Sequence, residues 1–254
     1  MRKTLLAVPL LGAALVTGVA AWQSAAPAAA RPTGSLTEEQ LLEGFRKSTV
    51  ASVSDAVDQV VGQRGFMSHD MRPRIPGQIV GRAITALLRQ APPEKATAAL
   101  SAQHSVAMID TSKPGDVGII VVENGLDVAG MGGLMATTAS VRGMGGVLID
   151  GGVRDLAELR ALKFPTYSRS VVPSSSVGRW ASVNNNVPVQ CAGVQVKPGD
   201  IIVAGEDGVV RVPSERAAEV LKRSQEIDDR ETRMVPMIRQ HKALSKVIQI
   251  FNRI

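Results

Sequence analysis

Cysteine is almost absent from the 254-residue chain: Cys191 is the only one, so no internal disulfide can form. Its neighbours in Val-Pro-Val-Gln-Cys-Ala-Gly are mostly apolar or small, the setting of a buried thiol rather than a reactive one. Aromatic residues are scarce, with one Tyr, two Trp and four Phe. Single-stranded nucleic acid is held largely by stacking on such rings, so the supply argues against that partner. The net charge of +6 is spread along the chain rather than gathered in a basic block. His69, His104 and His241 are far apart, and no pair has metal-ligand spacing. They are expected on the surface or partly packed. Ser174-Ser175-Ser176 lacks a nucleophile elbow and a neighbouring base, and reads as a loop. No glycine-rich cofactor-binding signature follows a first strand.

Long apolar runs are missing except at the start. Arg2 and Lys3 precede a stretch, Leu5 to Ala21, that is apolar apart from Thr17. Ala28-Ala29-Ala30 then offers a small-residue cleavage site before Arg31-Pro32. This pattern predicts a signal peptide over residues 1–30 and an exported, periplasmic or secreted protein with no membrane attachment after cleavage. An uncleaved anchor is the alternative, since the run is about the shortest that could span a bilayer. Cleavage after Ala30 leaves 254 − 30, or 224 residues, and a net charge of +4 once Arg2 and Lys3 are gone. That length suits one domain with a real core.

Helix and strand signals alternate along the mature chain. Thr37 caps a helix with Glu38 and Glu39 in its first turn, where negative charge is favoured. Ser48-Thr49 and Ser52-Val53-Ser54 interrupt it, and a second helix is expected from Asp55 to Val61. Asp55 and Asp58 lie about one turn apart, on what reads as a solvated face. Pro73, Pro76 and Gly77 mark a loop, Ile79 to Leu88 a strand, Glu94 to Ala107 a helix and Val117 to Glu123 a buried strand. Pro165 to Arg169 is extended. Val187–Val196, Ile201–Val203 and Val209–Val212 form a hairpin-rich β layer. Lys-Pro-Gly-Asp occurs at 113 and again at 197, each time before an apolar strand, as repeated turn chemistry. Ser214 is expected to cap a C-terminal helix that Pro236 kinks or breaks. That tail either packs on a neighbouring subunit or is solvated. The residues themselves establish α/β with a β-rich C-terminal half.

The chain is organised around Gly130 to Asp155. A glycine turn (Gly130, Gly132, Gly133) precedes a short helix, Leu134 to Arg142, and a buried strand, Gly146 to Ile149. Asp150-Gly-Gly is expected to turn the chain into Arg154-Asp155. If the helix packs back on the strand, its N-terminus and the Arg-Asp pair share one edge. Free amides there can hold a carboxylate, an arginine can fork onto the same anion, and an aspartate is a hard oxygen ligand for a divalent cation. The bland alternative is an ion pair in a surface turn.

Twenty residues separate Gly133 from Arg154-Asp155. With that spacing, and with Ser48-Thr-Val-Ala-Ser-Val-Ser-Asp-Ala-Val-Asp58, the Arg72–Thr85 stretch, Lys-Pro-Gly-Asp at 113, the Leu162–Trp180 stretch and Val194–Pro213, the chain resembles the family of the regulator of ribonuclease activity A and the 4-hydroxy-4-methyl-2-oxoglutarate aldolases. The resemblance covers roughly residues 40–213. It implies a swivelling β/β/α-type α/β domain over 31–212, a helical extension over 213–254, and a homotrimer or hexamer with sites between subunits. It also implies a lyase that cleaves a small 2-keto acid to pyruvate by aldol cleavage, or decarboxylates oxaloacetate. Asp155 would bind Mg or Mn, Arg154 would contact the keto-acid end, and the amides of Gly132, Gly133, Leu134 and Met135 would hold the substrate carboxylate. Those aldolases carry an acidic residue where this chain has Gly133, and often an aspartate where it has Gly205. Asp150, or Glu206 and Asp207 facing a neighbour's site, are the candidate substitutes. A non-catalytic exported binding or regulatory protein of the same fold is the alternative function, and export separates it from a cytoplasmic ribonuclease.

Overall fold

The computed structural model describes residues 36–251, so the expected signal segment at residues 1–30 lies outside the described residues. Among the described residues no helix is long and apolar enough to cross a membrane. In chain order the elements are α1 (Glu38–Lys47), α2 (Val50–Val61), β1 (Arg72–Ile75), β2 (Ile79–Gln90), α3 (Ala98–Asp110), β3 (Val117–Val122), β4 (Ala129–Met131), α4 (Gly133–Val141) and β5 (Gly146–Val153). There follow α5 (Leu156–Leu162), β6 (Thr166–Val171), β7 (Trp180–Asn185), β8 (Val189–Cys191), β9 (Val194–Val196), β10 (Ile201–Gly205), β11 (Gly208–Val212), α6 (Ala217–His241) and α7 (Leu244–Phe251).

The fold is the swivelling β/β/α-type α/β domain, with a nearly closed, barrel-like sheet and a long C-terminal helix. The sheet order is β1-β6-β5-β3-β2-β10-β11, with β4 beside β5 and β7 beside β2. β2, β3, β5 and β6 run parallel, and β8–β9 form a separate hairpin. Strand alternation sorts the core. In β5, Leu148 joins the inner cluster with Ile119, Tyr167 and Cys191. Val147, Ile149 and Val153 face the other way, with Ala136, Ala139 and Leu159 of α4 and α5. A third cluster packs α1, α2 and α6 over Ile201, Val203, Val210 and Val212. The only tyrosine, Tyr167, is buried and donates its hydroxyl to Gly77 O at 3.0 Å. Cys191 is fully buried, as its flanks predict.

Several expectations need correction. α2 begins at Val50 rather than Asp55, because the Thr49 hydroxyl caps it by accepting from Ser52 N at 3.1 Å. β1 replaces the expected Pro loop: it is an edge strand, where Pro73 sacrifices no central ladder bond. Asp150-Gly-Gly does not turn but continues β5, and a Cβ at Gly152 would stand 2.8 Å from Val128 O. The glycines serve close packing there. Thr97, not Glu94, starts the main part of α3. β4 and β7 are additional strands. Ser214 lies in a short 3-10 turn before α6 rather than capping it, and α6 runs on through Pro236 to His241 without a break. The two Lys-Pro-Gly-Asp turns share one geometry. Gly115 and Gly199 have φ of +85° and +88°, and each aspartate accepts from the N–H of its own lysine at 2.7 Å.

Candidate active site at the ends of β4 and β5

β4 leads directly into α4, and β5 into α5 by way of Arg154 and Asp155. The two strands are parallel neighbours, so both helices start at one sheet edge. Arg154 N donates to Met131 O at 3.1 Å, which ties the two crossovers together. Asp155 occupies the N-cap position of α5 but makes no side-chain cap there. Its side chain reaches the neighbouring helix, and Oδ2 accepts from Gly133 N at 2.9 Å. The contact needs an unusual backbone: Asp155 has φ 58° and ψ 42°, in the left-handed region. Arg154 Nε lies 3.7 Å from the same Oδ2, and both side chains are about two-fifths exposed.

Two glycines give this corner its shape, for different reasons. A Cβ on Gly132 would stand 2.5 Å from Asp155 Oδ2, so Asp155 could not keep its place. A Cβ on Gly133 would have as its nearest atoms Glu158 Cβ at 3.3 Å and Asp155 Cβ and Glu158 Cγ at 3.5 Å. A side chain at 133 would therefore head toward the stem of Glu158, whose Cβ and Cγ flank the position that Gly133 leaves bare. Glu158 was not among the sequence candidates, although it stands in the first turn of α5, three residues after Asp155.

The structure thus brings together Gly132, Gly133, Arg154 and Asp155, with Leu134 and Met135 in the same helical turn. One element of the expected cradle is changed: the Gly133 amide is already taken by Asp155. The first backbone bond of α4 runs from Ala136 N to Gly132 O, leaving the Leu134 and Met135 amides as its open donors. The Leu134 side chain is 89% exposed above them. Asp150 does not join this corner. It bonds Arg169 Nη1 and Ala192 N, at 2.8 and 2.6 Å, on the inner side of the sheet. Asp207 lines a different hollow, of about 360 Å³, with Asp55 and His69. Among the described residues no three His, Cys, Asp or Glu side chains gather as a ready cation site.

A parallel-strand edge with an Arg-Asp pair on a helix start defines a class of α/β proteins. The profile of the RraA-like family, described as Aldolase/RraA, matches residues 50–211. The chain belongs to this family. An uncharacterized protein of Methanocaldococcus jannaschii is 35% identical over 132 residues, covering 52% of this chain and 62% of that protein. A protein of Halalkalibacterium halodurans named "Putative 4-hydroxy-4-methyl-2-oxoglutarate aldolase" is 29% identical over 191 residues, covering 75% and 84%. A crystal structure of an uncharacterized protein from Pseudomonas syringae superposes with a TM-score of 0.75 at 26% identity, over 85% of this chain and 96% of that one.

Proposed function

We propose that the protein is a lyase that cleaves a small 2-keto acid to pyruvate, with a divalent cation, Mg or Mn, held at Asp155. The observation that carries this reading is the 2.9 Å hydrogen bond from Gly133 N to Asp155 Oδ2, which sets a carboxylate and an arginine at the open first turn of α4. The donor set fits such a cation. Asp155 keeps its second oxygen, Oδ1, open at a surface about two-fifths exposed, and Glu158 stands beside Gly133. Both are hard oxygen donors, and Mg tolerates a small protein shell completed by water and substrate. When bound, the cation would act as a Lewis acid on the charge that develops at the keto oxygen. The chain's own groups do the rest. The Leu134 and Met135 amides hold the substrate carboxylate at a helix N-terminus. Arg154, tethered through its backbone to Met131, sets its guanidinium against the keto-acid oxygens as negative charge grows there. Glu158 takes the place of the acidic residue that position 133 lacks.

Oxaloacetate decarboxylation follows from the same requirement, because both reactions leave pyruvate enolate. Assembly as a trimer or hexamer and action outside the cytoplasm belong to the same proposal, the latter supported by the pattern of residues 2–30. The test is pyruvate release from 4-hydroxy-4-methyl-2-oxoglutarate and from oxaloacetate with Mg or Mn, then with chelator. Asp155→Ala and Glu158→Gln run alongside. Chelator-sensitive turnover that Asp155→Ala abolishes supports the reading. Folded protein with no turnover on either substrate overturns it and leaves the non-catalytic binder.

A further inference from the structure

A separate hollow, of about 480 Å³, opens where the segment after α2, the turn after β9 and the start of α6 meet. Arg64, Lys197, Arg211 and Arg216 line it against a single carboxylate, Glu215. One buried group holds these walls in place. Asp200 is fully buried, and its Oδ2 accepts from Arg211 Nε and Lys197 N, each at 2.7 Å. Its Oδ1 accepts from Ser214 N at 3.2 Å. Lys197, Arg211 and the entry to α6 are therefore fixed relative to one another through a single carboxylate.

The cations are not all used up by neighbours. Arg216 is, since its Nε and Nη2 both bond Glu219. Arg211 spends only Nε on Asp200, and its two terminal nitrogens have no acceptor although the side chain is just 12% exposed. Arg64 spends only Nε, on Phe66 O at 2.8 Å, while its guanidinium lies 4.3 Å over the Phe66 ring. Lys197 Nζ has Glu215 at 4.0 Å, the outer limit of an ion pair. Glu215 registers this surrounding charge. Its carboxyl is held below the ordinary value, first by a hydrogen bond with its own backbone, next by one from the Ser214 hydroxyl, and further by the charges of Lys197 and Arg211.

We propose that this basin binds the phosphate group of a small molecule. Open donors from three separate segments line one hollow, as recognition of a tetrahedral dianion requires. A planar monocarboxylate would satisfy one guanidinium fork and leave the other charges facing one another. The assignment does not rest on the lyase reading, and none of these residues belongs to the Arg154–Asp155 corner.

The test is calorimetric titration of the purified protein with inorganic phosphate and with glycerol 3-phosphate, against chloride at matched ionic strength. The double variant Arg64→Gln/Lys197→Gln removes two exposed donors without touching Asp200 or Arg211, and circular dichroism checks its fold. One-site saturable binding is expected, weakened at least tenfold in the double variant and tightened several-fold in Glu215→Gln. Tighter binding of glycerol 3-phosphate assigns the basin to an organic phosphate, and equal binding assigns it to the free ion. Three results would each overturn the proposal. One is heat that chloride reproduces, another is binding that the double variant keeps, and the third is attachment to phosphatidylglycerol vesicles with no saturable binding of either soluble probe.

Discussion

Gly132 and Gly133 are adjacent but unequal, and substitution separates their roles. Gly132→Ala drives a Cβ against Asp155 Oδ2 and should displace the carboxylate. Under the lyase proposal, a misplacement of that size costs on the order of a hundredfold in turnover. Gly133→Ala meets only ordinary or slightly tight contacts, so its turnover should stay within about threefold of wild type, well short of a misplaced catalytic group. Pyruvate release by the two variants measures the contrast. Lys163 tests backbone strain away from the site. It ends α5 in the left-handed region at φ 51°, so Lys163→Gly should raise stability by about 1 kcal/mol in urea unfolding. Asp70 gives the pH dependence its sign. Burial alone would raise its carboxyl, but the nearby Ser68 side chain and the hydrogen bond and charge of Arg169 hold it below its ordinary value. A depressed carboxyl adds stability that is complete above its unfolded value of 3.8 and disappears as pH falls through the lower folded value. Unfolding midpoints should therefore drop on acidification below about pH 4, and less so in Asp70→Asn.

The two Lys-Pro-Gly-Asp turns make a natural comparison between elements. Both aspartates lock their turn in the same way, yet only Asp200 is fully buried and paired with a guanidinium, Arg211. Asp200→Asn should cost about 3–5 kcal/mol, the price of leaving a buried charge without its partner. Asp116→Asn should cost less than about 1 kcal/mol, since only a surface turn bond is altered. Urea unfolding of both variants checks the difference. The repeat was visible in the sequence, but the burial that separates its two copies was not. Elements with strong local signals were legible: the Thr37 cap of α1, and the apolar runs of β2, β3, β10 and β11. β7 was not, because no residue of Trp-Ala-Ser-Val-Asn-Asn is buried and the stretch carries no clean alternation. β1 hid behind its prolines and the end of β5 behind its glycines. At the site, spacing singled out Arg154, Asp155 and the start of α4. Glu158 was missed because its relevance comes from where a side chain absent at 133 would point, which no one-dimensional pattern records.

Over the whole molecule, α6 belongs to the core rather than to an appendage. Val220, Leu221 and Ile227 are buried against α1 and α2, and a Cβ on Gly44 would lie 2.5 Å from Leu221 Cδ2. Polar clamps add to this: Ser48 and Ser224 hydroxyls meet at 3.1 Å, and Thr49 N and Oγ1 both donate to Asp228. A chain ending at Arg216 should lose its cooperative thermal transition, whereas one ending at Lys242, without α7, should keep it; scanning calorimetry distinguishes the two. Leu221→Ala alone should cost about 2–5 kcal/mol. The same clamps set a timetable for biosynthesis. The layer begun by residues 38–61 is closed by residues 217–228, so the outer faces of α1 and α2 stay uncovered until the ribosome has made residues 217–228. Until then the apolar faces of α1 and α2 that receive Val220, Leu221 and Ile227 lack part of their cover, and the nascent chain presents a surface of the kind that chaperones recognise.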